Sequence, residues 1–258
     1  MPKFSANLTF LFTELPFMDR FEAAARAGFK AVEYMAPYPY AADVLQAALR
    51  ANDLVQALFN LPAGDWDNGS RGMACIPGRE AEFKQGVAEA IAYAHALDCK
   101  KINCLFGKLP TGVSREAATA TLISNLKYAA AELKRASIML VTEPINSFDI
   151  PGYFINRTSE ALAILDAVGS DNLLVQYDVY HAQRMEGELG ATLEQQRSRI
   201  GHIQIADNPG RHEPGSGEIN YAWLLKHIDA IGYDGWVGCE YKPKTTTVEG
   251  LGWMKTLV

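Results

Sequence analysis

The 258-residue sequence predicts an α/β fold, a (β/α)8 TIM barrel that forms a single domain over residues 1–258. Short apolar runs alternate with amphipathic stretches from end to end, which is typical of parallel strands joined by helices. The length is close to the ~250 residues of most such barrels. No dinucleotide-binding G-x-G-x-x-G motif follows any apolar run, which favours a closed barrel over an open doubly wound sheet.

Eight strand candidates occur in order, each short and rich in Val, Ile and Leu, as expected for strands buried on both faces. They are residues 4–8, 31–34, 55–59, 101–105, 139–143, 174–178, 202–205 and 236–240. Amphipathic stretches lie between them, and residues 79–97 form the clearest predicted helix. The predicted helices 17–27 and 221–231 are followed by Gly28 and Gly232, which suit a helix C-cap.

Composition excludes several classes of protein. The net charge of −6 and the absence of a Lys/Arg run argue against a nucleic-acid partner. No apolar segment approaches the ~20 residues of a membrane span, so no membrane association is expected. The four cysteines lack C-x-x-C pairs or zinc-ribbon spacing, which indicates reduced thiols and a cytoplasmic location.

Four of the apolar runs end in a residue with a metal-binding oxygen: Glu143, Asp178, Gln204 and Glu240. A buried carboxylate is costly unless another charge or a metal ion compensates it. The chain between successive members is long enough for one helix and one strand. The four side chains therefore converge if the strands close into a barrel, and this convergence predicts an active site at the carboxyl-end face.

Three anionic ligands and one neutral oxygen suit a hard divalent ion, Mg²⁺ or Mn²⁺. Zinc is expected to recruit His or Cys, and neither residue ends these four runs. A single buried Glu is also typical of an ion pair, and Gln204 alone is typical of a core amide. The four together favour a metal site.

Longer motifs in the same regions resemble the hydroxypyruvate isomerase family, and the resemblance covers nearly the whole chain. The motifs are Phe59-Asn-Leu-Pro-Ala-Gly-Asp-Trp, Ile76-Pro-Gly-Arg-Glu, Glu143-Pro-Ile-Asn, Gln176-Tyr-Asp-Val-Tyr-His, Gly201-His-Ile-Gln-Ile-Ala-Asp-Asn-Pro, His212-Glu-Pro-Gly-Ser-Gly-Glu-Ile-Asn-Tyr and Gly238-Cys-Glu-Tyr-Lys-Pro. The resemblance implies a xylose isomerase-like barrel that interconverts hydroxypyruvate and tartronate semialdehyde (2-hydroxy-3-oxopropanoate). It also implies metal ligation by Glu143, Asp178, Gln204 and Glu240, with Glu143 and Glu240 as proton donor and acceptor.

The chemistry of this reaction agrees with the residues. Moving a carbonyl between adjacent carbons requires removal of a proton from carbon, through an enediolate. A divalent cation stabilises the developing negative charge, and a carboxylate can act as the base. One base could serve both carbons, so the paired role of Glu143 and Glu240 depends on the family resemblance alone.

Candidate substrate-binding residues lie just beyond the strands. His181, three residues after Asp178, can contact substrate oxygens or hold a ligand carboxylate. Arg211, in the loop after the seventh strand, is the first candidate to bind the substrate carboxylate. Lys108 is a further candidate, with Arg71 and Lys242 in reserve.

Three neighbours of the predicted site have expected roles of their own. Glu33, near the end of the second strand, is expected to pair with one of these cations. His202 lies two residues before Gln204 and is expected in the core, one layer deeper. Trp66 is expected to line the pocket.

Other functions stay open. A 2-oxo-tetronate isomerase would catalyse the same proton transfer on an acid one carbon longer. Ketose 3-epimerases share the plan but usually have His where Gln204 stands. Endonuclease-IV-like enzymes need a His-rich site and a basic groove. A metabolite-binding barrel without catalysis would most simply show a replaced Glu143 or Glu240. The short predicted helix 248–258 leaves a flank that a second copy in a homo-oligomer could cover.

Overall fold

The structure, a computed structural model, describes residues 1–257 and confirms the predicted (β/α)8 barrel. Eight parallel strands pair in chain order, and the last strand closes the barrel against the first. The strands are β1 Lys3–Asn7, β2 Ala31–Glu33, β3 Val55–Asn60, β4 Lys101–Cys104, β5 Met139–Thr142, β6 Leu173–Asp178, β7 Ile200–Ile205 and β8 Trp236–Cys239.

Helices surround the barrel and bury their apolar sides against it. They are α1 Arg20–Arg26, α2 Ala42–Ala51, α3 Glu80–Leu97, α4 Arg115–Arg135, α5 Thr158–Val168, α6 Val179–Met185, α7 Leu189–Gln195, α8 Tyr221–Ala230, α9 Thr247–Gly250 and α10 Trp253–Thr256. Within residues 1–257, none of them combines the length and apolar character of a membrane span.

Two predicted helices differ from the structure. The predicted helix 17–27 divides into a 3-10 turn, Phe17–Asp19, followed by α1. The predicted helix 248–258 is two short helices, α9 and α10, and Val258 lies outside the described residues. Gly250 and Gly252 fall at this break, and glycine has low helix propensity.

The interior of the barrel is more polar than the strand sequences predicted. Side chains usually found there are branched and apolar. Here the strands contribute a set of buried polar side chains: Ser5, Asn7, Glu33, Gln56, Asn103, Gln176, His202 and Gln204. Several are two residues apart on one strand, so they point to the same side. These polar side chains continue directly into the carboxyl-end face, where the predicted site lies.

Candidate metal and substrate site

The four predicted metal ligands lie at the carboxyl ends of four adjacent strands. Glu143 directly follows β5, Asp178 ends β6, Gln204 lies near the end of β7, and Glu240 directly follows β8. All four side chains are buried. Closure of the barrel therefore brings to one face four residues that are far apart in the sequence.

Shared neighbours connect three of these side chains. The Gln176 amide nitrogen donates to Glu143 Oε2 at 2.8 Å and to Gln204 Oε1 at 2.7 Å. His181 Nε2 lies 3.7 Å from Glu143 Oε1 and 3.6 Å from Asp178 Oδ2. Glu143 thus contacts both the Gln176 amide and the His181 ring.

Arg211 joins the remaining carboxylate to the cluster. Its Nη2 donates to Glu240 Oε2 at 2.7 Å and lies 3.4 Å from Asp178 Oδ2. The Arg211 backbone has φ 58°, a left-handed conformation that is uncommon for residues other than glycine. This conformation lies within the loop after β7, which carries the guanidinium group into the cluster.

The buried carboxylate of Asp207 organises that loop. Its Oδ1 accepts hydrogen bonds from backbone N–H groups of Asn208 and Ile219, at 2.9 and 3.1 Å. Its Oδ2 accepts from those of Gly215 and Gly217, at 2.8 and 2.9 Å. Asp207 thus connects four backbone positions of the loop through one buried carboxylate.

A cavity of about 650 Å³ opens beside the cluster, large enough for a small hydroxy acid. The predicted residues that line it are Glu143, His181, Gln204, Arg211, Glu240, Trp66, Arg71 and Lys242. Lys108 is not part of this lining, and its backbone forms an isolated bridge with Tyr153. The structure therefore brings Arg211, but not Lys108, to the predicted ligands.

The carboxylates of the cluster carry more charge than Arg211 compensates. Burial raises the pKa of Glu143 well above its ordinary value, and the charges of Glu240 and Asp178 raise it further. Burial also raises the pKa of Glu240 to about 8, although Arg211 opposes the shift. Three buried carboxylates share this one buried guanidinium, so the donor set fits an additional divalent cation.

The orientation of His181 follows from Asn146. The Asn146 Oδ1 accepts hydrogen bonds from the backbone N–H groups of Phe148 and Asp149, at 3.1 and 2.8 Å. Its amide nitrogen therefore faces His181 Nδ1, at 2.6 Å, and donates to it. Burial lowers the pKa of His181 to about 4, so the ring is neutral near pH 7.

A neutral ring that accepts at Nδ1 carries its hydrogen on Nε2, which faces Glu143 and Asp178. By distance alone, Glu143, Asp178 and His181 could hold a metal ion together. The hydrogen on Nε2 instead makes His181 a hydrogen-bond donor to the cluster or to a substrate oxygen. The oxygen atoms of the cluster are then the metal donors.

Sequence reasoning missed several polar residues of this site and misjudged one. Gln176, Asn7, Asn103 and Asn146 contact the cluster but were not singled out. Glu33 was expected to pair with a loop cation, but it lies inside the barrel and pairs with His202 at 2.9 Å. One signal was available: polar residues recur two positions apart, as in Gln176/Asp178 and His202/Gln204.

A family model described as xylose isomerase-like TIM barrel matches residues 21–257. The chain belongs to this family. It is 58% identical over 254 residues to "Hydroxypyruvate isomerase" of Escherichia coli (strain K12), covering 98% of each chain. It is 47% identical to "2-oxo-tetronate isomerase" of Cupriavidus necator, covering 99% of this chain and 98% of the relative. The predicted resemblance to hydroxypyruvate isomerases is therefore confirmed.

Two solved structures agree with the fold. A protein from Brucella melitensis described as "AP endonuclease, family 2" has a TM-score of 0.97 and 45% identity, covering 99% of each chain. D-psicose 3-epimerase from Clostridium cellulolyticum H10, solved with D-tagatose, has a TM-score of 0.78 and 19% identity. The match covers 96% of this chain and 88% of the epimerase, and at that identity it supports the fold alone.

Proposed function

We propose that this protein is a divalent-metal-dependent isomerase that interconverts hydroxypyruvate and tartronate semialdehyde. The observation that carries the proposal is the buried cluster of Glu143, Asp178, Gln204 and Glu240 beside a small cavity. The 58% identical relative named hydroxypyruvate isomerase supports the choice of substrate. The function is that of an aldose–ketose type isomerase acting on a small hydroxy or keto acid.

The cluster oxygens of these four residues would hold Mg²⁺ or Mn²⁺. The bound ion supplies Lewis-acid stabilisation of the negative charge that develops on the substrate oxygens. Glu143 and Glu240 are the proposed proton-transfer pair, and both side chains reach the cavity. Without a bound cation, burial raises the pKa of each carboxyl, so each holds a proton more tightly than an exposed glutamate does.

The proposed reaction balances without an external reactant. A carboxylate removes a proton from C3 of hydroxypyruvate, the C3–H electrons form the C2–C3 double bond of the enediolate, and the C2 carbonyl π electrons move onto the C2 oxygen. The C2–C3 π electrons then take a proton at C2. The C3 oxygen loses its hydroxyl proton to the C2 oxygen and forms the new C3 carbonyl. His181, with its hydrogen on Nε2, can donate to one of these oxygens within the cavity.

The substrate carboxylate needs a cation in the same cavity. Arg211 is the first candidate because its guanidinium already lies between Glu240 and Asp178, at the cavity wall. Arg71 and Lys242 also line the cavity. Arg71 stacks on the Trp66 ring, with 3.9 Å from the guanidinium carbon to the ring centroid.

The test is turnover of hydroxypyruvate in D₂O followed by NMR, with and without EDTA. We expect metal-dependent formation of tartronate semialdehyde and deuterium incorporation at carbon. Absence of exchange with added Mg²⁺ or Mn²⁺ would refute the isomerase proposal. A protein that only binds metabolites would bind hydroxypyruvate without exchange.

A second candidate is a 2-oxo-tetronate isomerase, which the 47% identical relative favours. The cavity of about 650 Å³ has room for an acid one carbon longer, so volume does not choose between the two substrates. Parallel measurement of kcat/KM for both acids discriminates them. A clear preference for 2-oxo-tetronate would keep the mechanism and change the substrate.

Nucleic acid is not proposed as a substrate, although the Brucella structure is described as an AP endonuclease. The net charge of −6 argues against a nucleic-acid partner. A cytoplasmic location agrees with the four free, buried cysteines. Assembly into a homo-oligomer stays a prediction, to be tested by light scattering of the purified protein.

A further inference from the structure

Glu33 is a buried charged residue that the proposed reaction does not use. It ends β2 inside the barrel and is fully buried. Its Oε2 accepts hydrogen bonds from Ser5 Oγ at 2.8 Å and from His202 at 2.9 Å. Its Oε1 accepts from Gln204 Nε2 at 2.7 Å and from Asn7 Nδ2 at 3.3 Å. A carboxyl group is costly to bury in a barrel interior, so the presence of Glu33 there needs a structural or functional explanation.

Both oxygens of the Glu33 carboxyl group act as hydrogen-bond acceptors. Ser5 Oγ donates to Oε2, and the amide nitrogens of Asn7 and Gln204 donate to Oε1. An amide that contacts an accepting oxygen must present its NH₂ group to it.

This requirement determines how Gln204 is oriented. Its Nε2 faces Glu33 and its Oε1 faces the cluster, where it accepts from Gln176 at 2.7 Å. Without a fixed neighbour, the Gln204 side-chain amide could rotate by about 180° with little change in free energy and present its NH₂ group to the cluster instead. An NH₂ group cannot coordinate a cation, whereas the amide oxygen can.

We infer that Glu33 is a positioning residue whose carboxylate fixes the Gln204 amide with its oxygen toward the metal. The inference rests on the proposed function, because it concerns the metal of that site. Glu33 itself does not belong to the predicted ligand set. It acts from the layer below, through the amide that it holds.

Two further contacts tie Glu33 to the same site. Asn7 Nδ2 bridges Glu33 Oε1, at 3.3 Å, and Glu240 Oε1, at 3.2 Å, so the carboxylate is coupled to a second predicted ligand. Gly238 on β8 leaves space for the carboxylate, since a Cβ there would lie 2.3 Å from Glu33 Oε1. The glycine two residues before Glu240 is thus explained by Glu33 and not by backbone conformation.

The test is a double-mutant cycle with the substitutions Glu33→Gln and Gln204→Glu in the full-length protein. Mn²⁺ affinity is measured by electron paramagnetic resonance of the free ion, and circular dichroism checks folding. Glu33→Gln alone can present an NH₂ group to Gln204, which allows the Gln204 amide to rotate by about 180°. We expect about ten- to a hundredfold weaker Mn²⁺ binding, the range typical for loss of an outer-sphere partner.

In the Gln204→Glu variant, the substitution Glu33→Gln should strengthen Mn²⁺ binding, whereas in the unchanged protein it should weaken it. In Gln204→Glu alone, two buried carboxylates meet where the present contact is 2.7 Å, and they repel each other. Adding Glu33→Gln supplies an NH₂ donor to the carboxylate at position 204, and Mn²⁺ binding should become tighter than in Gln204→Glu. A residue that only supports the fold would weaken binding in both backgrounds.

Glu194→Gln removes the same charge from the exposed side of α7 and should leave the affinity unchanged. If Glu33→Gln binds Mn²⁺ as tightly as the unchanged protein, the positioning role is wrong while the metal site stands. If the unchanged protein binds no Mn²⁺, the metal proposal fails as well. If the Glu33→Gln single variant does not fold, the Mn²⁺ affinities of Gln204→Glu and of the double variant are compared instead. Weaker binding by the double variant would refute the positioning role.

Discussion

At the scale of single residues, the proposed site holds an imbalance of charge among buried side chains beside an open cavity. The carboxylates of Glu143, Asp178 and Glu240 are buried, and Arg211 is the cation that contacts two of them. Each neutral neighbour has a defined hydrogen-bond direction. Asn146 fixes the hydrogen of His181 on Nε2. Such fixed donors and acceptors are what a proton transfer through an enediolate requires.

Glu143→Gln and Glu240→Gln should each abolish most turnover, because an amide cannot accept the proton from carbon. The expected loss in kcat is about 10²–10⁴-fold, the usual contribution of a general acid or base. Steady-state kinetics with saturating Mn²⁺ measures it, with thermal melts to check the fold. Glu194→Gln, on the exposed side of α7, serves as the control. Near-normal turnover of either variant would contradict the proton-transfer assignment.

Arg211→Ala should raise KM for the acid by about ten- to a hundredfold, since a hydrogen bond between charged groups contributes roughly 1.5–3 kcal/mol. The measurement is KM at saturating metal, with kcat followed in parallel. Lys108→Ala is the discriminating partner, because Lys108 is not part of the cavity lining. A rise in KM for Lys108→Ala, with none for Arg211→Ala, would transfer the carboxylate-binding role to Lys108.

At the scale of elements, the strands supply fixed oxygens and the loops supply cations. Gln204 comes from β7, and Glu143 and Glu240 directly follow β5 and β8, so their backbones are held by neighbouring strands. Arg211 comes from the loop after β7 instead, where Asp207 accepts hydrogen bonds from backbone groups on both sides of it in the sequence, at Asn208, Gly215 and Gly217. Rigid strand ends and a loop braced by one carboxylate together define the site.

Asp207→Asn should therefore disturb the substrate site from a distance. Both carboxylate oxygens accept backbone N–H groups, and an amide would set an NH₂ group against two of them. We expect a loss of about 1–3 kcal/mol in the free energy of unfolding, measured by urea denaturation, and a higher KM. The control is Asp234→Asn, whose side chain is 97% exposed. Unchanged stability and KM would show that the loop does not depend on Asp207.

At the scale of the whole molecule, the cluster couples metal binding to protons and to stability. The pKa of Glu240 is raised to about 8 in the folded protein, and that of Glu143 is raised as well. In the unfolded chain both carboxyls return to their ordinary values. The folded state therefore binds extra protons at neutral pH, and a cation must displace them.

The sign of the pH effect follows. A pKa raised on folding contributes stability that is fully present below the unfolded value and is lost as the pH rises through about 8. Above pH 7, where the His181 ring is neutral in the folded protein and largely neutral in the unfolded chain, the Tm in EDTA should fall as the pH rises to 8.5. The rise in Tm caused by excess Mg²⁺ should be larger at pH 8.5 than at pH 5.5. A metal effect that is greatest at pH 5.5 would contradict this coupling.

Much of the fold was predictable from the sequence because it depends on local pattern. Eight short apolar runs separated by amphipathic stretches predict a closed barrel, and the structure has it. Helix ends were less predictable: glycines break the predicted helix 248–258 into two. The proposal that residues 1–258 form a single domain stays a prediction.

By itself, the sequence determined which face of the barrel carries the proposed site and which oxygen-bearing residues end at that face. Each of Glu143, Asp178, Gln204 and Glu240 ends an apolar run, and parallel strands end at one face. Only the tertiary structure decided how those oxygens are oriented. The contact of Glu33 with Gln204 joins residues 171 positions apart, and that of Arg211 with Glu240 depends on a loop conformation. No local pattern encodes such contacts, because they arise only when the barrel closes.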